Sequence, residues 1–188
     1  VVEQLAAATH REVETPAVVR EAINQILSAV SAADRRVLAA IVLTDEHAVA
    51  VLADIIETSL EAVTEACERG LAAGILSRRG PRLEISHPLL GSRLIEELPD
   101  AVLGDVCARY AGLLAKAPNA DWGLVLAYAL RSGGRVPDAR ICEFADAAGE
   151  QALEGLAFED ADQFLCIAQE RDQAVHPDLS HRTRRLMR

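Results

Sequence analysis

Apolar residues in this chain recur at intervals of three and four almost from end to end, and the pattern breaks once, between Ile75 and Ser86. Spacing of three and four places side chains on one face of an α-helix, whereas a period of two belongs to a strand. In the break, Ile75 and Leu76 precede Arg78-Arg79-Gly80-Pro81, a run of turn-formers, after which Leu83 and Ile85 alternate with Arg82, Glu84 and Ser86. This reads as a short β-hairpin set into a helical chain. Only 3% of the 188 residues are aromatic and Ala and Leu supply nearly a third, which argues against an all-β sandwich and for closely packed helices.

The segments before the hairpin are short. Pro16 to Leu27 carries Val19, Ile23, Ile26 and Leu27 on one helical face, with Thr15 as its N-cap. Ser31 and Asp34 form a capping-box-like pair before Val37, Leu38, Ile41 and Val42, and this helix ends near Thr44. Asp45 is the expected cap of a helix bearing Val49, Leu52, Ala53 and Ile56. Thr58 or Ser59 caps the next, with Leu60, Val63, Ala66, Cys67 and Leu71 turned inward and Gly74 at its end. Three helices closed by a hairpin are the element order of a winged helix-turn-helix, with residues 75 to 86 as the wing.

Beyond the hairpin every segment reads as helix. His87-Pro88 opens one that carries Leu89, Leu90, Leu94, Ile95 and Leu98 and stops at Pro99; Val102, Val106, Tyr110, Leu113 and Leu114 line the next. Trp122 to Leu130 form a further helix, and Ala139 to Leu156 with Glu159 to Arg171 form an antiparallel pair. In that pair Ala145, Ala148, Gly149 and Ala152 follow the first-helix spacing of a tetratricopeptide repeat, and Ala161 and Leu165 follow the second. The expected fold is thus mainly α: a helical segment over 1–30 ending an upstream lid domain, a winged-helix domain over 31–98, and a helical, tetratricopeptide-like region over 99–188. The chain opens on Val1 and stops at Arg188 within a basic stretch, and it reads as a piece of a larger polypeptide.

Charge narrows the function. The chain holds eighteen Arg and one Lys, Lys116, followed by Ala117, so the phosphate loop G-x-x-x-x-G-K-[ST] is not in it. Its formal charge is −10. The helix at the recognition position of a winged helix carries Glu61, Glu65 and Glu68 against Arg69, a surface that a phosphate backbone repels. Arg78, Arg79 and Arg82 make the hairpin basic and are the candidate DNA contacts if any exist. The five histidines form no metal-binding spacing, with Pro177 between His176 and His181, and the paired acids Glu96 and Glu97, or Asp160 and Asp162, read as solvated helix surface. Cys67, Cys107, Cys142 and Cys166, spaced 24 to 40 residues apart, read as small buried apolar groups in a reducing compartment. Apolar runs fall short of the roughly 18 to 20 residues needed to span a bilayer, and no signal peptide is seen. No catalytic residue, metal site or cofactor is expected within the segment, and its expected location is cytoplasmic.

Four stretches together carry a resemblance: Thr15-Pro16 to Leu27, Ser31 to Leu38, Leu71-Ala72-Ala73-Gly74-Ile75-Leu76, and Ile85-Ser86-His87-Pro88-Leu89-Leu90. With Ala145 to Ala168 after them, their order resembles signal-transducing ATPases with numerous domains, in particular the large ATP-binding LuxR-type transcriptional regulators. The resemblance implies an upstream nucleotide-binding domain that takes ATP or ADP, a winged helix as inter-domain hinge, helical repeats that meet an effector or protein partner, and DNA contacted by a domain outside this segment. It also implies that His87 matches a winged-helix histidine that touches the β-phosphate of bound ADP. This chain departs from the strongest form of that motif by carrying Pro88 where apoptotic and plant-resistance relatives have Asp. Two alternatives remain: a stand-alone winged-helix DNA-binding repressor and a helical-repeat interaction scaffold.

Overall fold

The computed structural model describes residues 17–80 and 82–175. The chain is mainly α-helical, with one two-stranded antiparallel sheet among the described residues. The described residues divide into two compact units, one up to Val106 and one from Cys107 onward.

In the first unit, α1 (Ala17–Ser28), α2 (Ala32–Thr44), α3 (Val49–Ile56) and α4 (Leu60–Ala72) precede the strands β1 (Leu76–Arg79) and β2 (Arg82–Ile85), and α5 (Pro88–Glu96) follows them. Helix α2 is the centre. Val37, Leu38, Ala39, Ala40, Ile41 and Leu43 are all buried, far more than the single stripe of a surface helix. Their neighbours are α3, α4, α5 and β2, which pack around α2. The small side chains of Ala39 and Ala40 let several elements approach it at once.

Local chemistry sets most of the ends. Ser31 Oγ accepts from Asp34 N at 3.1 Å, and Ser59 Oγ accepts from Ala62 N at 3.1 Å, so both are N-caps as the sequence suggests. Helix α4 stops through Gly74, whose φ of 70° lets Ile75 N–H reach back to Gly70 O at 2.9 Å. Two buried residues, Ile75 and Leu76, then lead into the hairpin, in which Leu76 pairs with Ile85 and Arg79 with Arg82.

Several expectations are corrected. Asp45 does not cap α3; it ends α2 in the left-handed region at φ 51°, and its N–H bonds Ile41 O. The N-cap position of α3 is Ala48, and the Glu46 carboxylate accepts from the N–H groups of His47 and Ala48, both at 2.8 Å. On α1, Ile23 and Leu27 are buried but Val19 and Ile26 are exposed, and Leu60 lies on the open side of α4. A one-turn helix start or a short helix gives periodicity too few positions to place the buried face. Thr15 and Pro16 lie outside the described residues. Helix α1 contacts α5, where Arg93 Nη2 donates to Asn24 Oδ1 at 3.3 Å. Arg35 bonds Val30 O and Glu97, so the paired acids Glu96 and Glu97 both have arginine partners.

The second unit contains most of α6 (Asp100–Leu114), within which the division falls, then α7 (Trp122–Arg131), α8 (Asp138–Glu154) and α9 (Phe158–Val175). Helices α8 and α9 pack antiparallel along their length, as shown by Asp138 with Arg171, Cys142 with Ala168 and Gly149 with Leu165. Gly149 permits this approach, since a Cβ there would lie 2.8 Å from Leu165 Cδ2. Tyr110 and Tyr128 meet edge to face at 4.8 Å between centroids, a favoured arrangement for aromatic pairs.

Two glycine substitutions are expected to move stability in opposite directions. A Cβ at Gly70 would lie 2.8 Å from Cδ2 of the fully buried Leu38, which has no room to swing, so Gly70→Ala is expected to cost about 1 kcal/mol net of helix propensity. Gly112, in α6, has open space at its Cβ, so Gly112→Ala should add about 0.5 to 1 kcal/mol. Urea midpoints of the two variants check both signs.

Candidate functional site

The expected DNA-reading surface is built from α4 and the hairpin. Glu61, Glu65 and Glu68 repeat at helical spacing and are exposed on α4, while Val63, Ala66 and Cys67 face inward. Arg69, the sole basic residue of Leu60–Ala72, is turned away from solute anions by its own neighbours. Its Nε and Nη2 donate to Asp34 Oδ2 and Oδ1 at 2.9 and 2.7 Å, a fork on a carboxylate, and its Nη1 donates to Glu65 at 3.1 Å. Asp34 is 5% exposed, at the first turn of α2. The Arg69 guanidinium holds its carboxyl below the usual range, against the upward push of burial, with the Ser31 hydroxyl helping. Arg69 is in turn held more basic by the same partners.

Of the hairpin arginines, Arg79 is exposed and lies 3.7 Å from Glu84, its neighbour across the strands. Arg78 and Arg82 are exposed with it. Arg79 and Arg82 are cross-strand partners on one face of the hairpin, which also carries Glu84, whereas Arg78, opposite Leu83, points to the other face. Pro81 lies outside the described residues.

His87 stands where β2 gives way to α5. Its backbone is extended, Pro88 occupies the first helical position, and Nδ1 accepts from Leu89 N–H at 3.2 Å, so His87 is the N-cap. An accepting Nδ1 leaves the proton on Nε2 in the neutral ring, and the residue is exposed. His87 therefore combines a structural task at one ring nitrogen with a donor at the other.

Two clefts stand out among the described residues. One, of about 290 Å³, lies beside Asp45, His47, Arg82 and Glu84, with His47 Nε2 3.4 Å from Asp45 Oδ1. The other, of about 200 Å³, lies between the start of α7, the end of α8 and the start of α9, and is walled by Gly123, Ala152, Gly155 and Phe164. Two of its polar groups hold the fold, Asp121 capping α7 through Leu124 N–H and the Gln151 amide joining Trp122 N–H to Ala120 O, and the Asp160 carboxylate also lines it. Both volumes fall below the roughly 300 Å³ at which small-molecule pockets begin. Neither the Gln151 clamp nor the Asp34–Arg69 fork was legible in the sequence, because each joins residues about 30 positions apart whose spacing carries no motif. Among the described residues no group of three or more His, Cys, Asp or Glu is arranged to hold a metal ion, and no helix is long and apolar enough to cross a membrane. His10, His176, His181 and the basic stretch at Arg182, Arg184, Arg185 and Arg188 lie outside the described residues.

The cysteines separate. Cys67, Cys107 and Cys142 are buried, but Cys166 is exposed on α9, contrary to expectation. Burial raises the Cys107 thiol to about 11 and pushes Cys67 upward as well. No protein-family model matches the chain, and comparison with curated proteins and with solved structures finds no significant match.

Asp34 makes stability depend on acid. Its carboxyl is depressed in the folded state, so its contribution is complete above the unfolded value near 3.9 and is lost as pH falls through the folded value. Asp34→Asn is expected to cost about 2 kcal/mol at pH 7, and the gap between variant and parent urea midpoints should narrow at pH 3. A thiol reagent at pH 8 should modify Cys166 in a fast phase that Cys166→Ser removes, the buried thiols reacting only on unfolding.

Proposed function

We propose that this chain is a regulatory segment of a large ATP-binding LuxR-type transcriptional regulator. In this reading α2, α3, α4 and the hairpin form a winged helix that serves as an inter-domain hinge, and the tetratricopeptide-like helices α8 and α9 serve as a platform for an effector or protein partner. Nucleotide and DNA are bound by other domains of the same cytoplasmic protein, and the segment itself carries out no catalysis. The observation that supports a hinge over a DNA reader is the condition of α4. Its exposed face is acidic, and its one arginine is bound to Asp34 and Glu65. A recognition helix needs cations and amides aimed at phosphates and base edges.

His87 supports the nucleotide link. An exposed imidazole whose Nδ1 is committed to Leu89 N–H offers Nε2–H to a phosphate oxygen on a neighbouring domain, and such a contact biases a two-state assembly by favouring one arrangement.

Gel-shift titration of this segment against random duplex should show binding weaker than about 100 µM at physiological salt, with no steep salt dependence. Tight, steeply salt-dependent binding would instead support the stand-alone repressor. In the complete regulator, His87→Ala should weaken ADP retention and also cost about 1 kcal/mol through loss of the cap. His87→Asn keeps a capping side chain, so it separates the two effects: lowered ADP retention with unchanged stability is the expected result, and unchanged retention in both variants sinks the latch.

A further inference from the structure

The turn joining α8 to α9 has an unusual composition. Helix α8 ends with Ala157 N–H bonded to Ala152 O at 2.8 Å, and the left-handed residue that this ending requires is Leu156, at φ 58°, with Gly155 just before it in a right-handed conformation. A leucine is strained in that region, and its side chain is 72% exposed, so burial does not repay the strain. Phe158, two residues on, is 65% exposed. Leu153 and Leu165 are exposed too, and helical spacing puts them on one side of the α8–α9 pair. Leu165 covers Gly149, Leu153 lies one helical turn beyond Gly149, and Phe158 lies two turns before Leu165 on the same side of α9.

The border of this apolar surface has one sign of charge. Glu150, Glu154, Glu159 and Asp162 are all exposed beside it. From Ile141 to Glu170 the sequence contains eight carboxylates and no Lys or Arg. The arginines that flank this segment in the sequence, Arg140 and Arg171, lie at the far end of the hairpin and are paired with Glu143 and Asp138. Apolar anchors ringed by acids favour one kind of occupant over a second copy of the chain, since two such acidic rims repel each other.

We propose that the apolar surface formed by Leu153, Leu156, Phe158 and Leu165 docks a basic amphipathic helix of a partner protein. Its leucine-type residues at i, i+3 or i+4, and i+7 seat on this surface, and its lysines or arginines face the surrounding carboxylates. The inference deepens the platform reading of the helical unit and is independent of His87 and nucleotide, so failure here leaves the ADP test unaffected.

Fluorescence anisotropy with two labelled synthetic peptides of about 14 residues tests it, one of Leu and Lys in an amphipathic helical pattern and one with Glu in place of Lys. The Leu/Lys peptide should bind the chain, weaken as ionic strength rises, and lose about tenfold in affinity with Leu156→Gly or Phe158→Ser, while the Leu/Glu peptide stays unbound. Leu156→Gly should leave the thermal midpoint unchanged or raised, because glycine relieves the left-handed strain, so lost binding is not lost folding. No binding, equal binding of both peptides, or undiminished binding by the variants overturns the proposal. So does a dimer in sedimentation that Leu156→Gly dissociates, which would give the surface to a second copy.

Discussion

The first unit depends on the burial of α2. From Val37 to Leu43 nearly every side chain of this helix is enclosed, and α3, α4, α5 and β2 all pack against it. Arg36 in its first turns still reaches solvent, but Asp34 beside it is buried and cannot be left without a partner. Asp34, at its first turn, is therefore answered by Arg69 from α4, and the bidentate fork fixes the orientation of α4 about its own axis. Helix α4 buries Val63, Ala66 and Cys67 against α2, and it must then turn Glu61, Glu65 and Glu68 outward. The face that α4 presents to solvent is thus the acidic one.

At the other end of the same unit, His87 closes the hairpin and opens α5. Ser86 N–H bonds Ile75 O, tying the end of β2 to the start of the hairpin, and His87 caps the next helix one residue later. The imidazole is thus held through Nδ1 by Leu89 N–H, on a backbone tied to the hairpin one residue earlier. A contact made there by a neighbouring domain acts on a junction fixed to the core rather than on a loose loop. This is the physical basis for reading the unit as a hinge component.

The helical unit follows a different logic. Small residues, Ala145, Ala148, Gly149 and Ala161, bring α8 and α9 close together, and the aromatic residues Phe144 and Phe164 fill the side toward α7. The opposite side keeps Leu153, Phe158 and Leu165 in solvent, with a strained leucine at the turn. Exposed apolar groups and left-handed strain in the same few residues are costly to stability, and burial of those groups under the proposed partner would offset that cost.

Much of this was legible in the residues themselves. Periodicity located α2 and α4 to α9, the change of period at Ile75 located the hairpin, and Ser31, Ser59 and Gly74 marked helix ends by their side-chain or backbone chemistry. These features depend on near neighbours in the chain, which the amino-acid order specifies directly. Tertiary structure decided the rest. It made Asp45 a helix end instead of a start, left Val19, Ile26, Leu60 and Leu165 exposed, and set Cys166 apart from the other thiols. It also joined Asp34 to Arg69 and Gln151 to Ala120, pairs separated by 35 and 31 positions. Which face of a helix is buried, and which charge finds a partner, is determined by the elements that pack against it, and no local pattern records their arrangement.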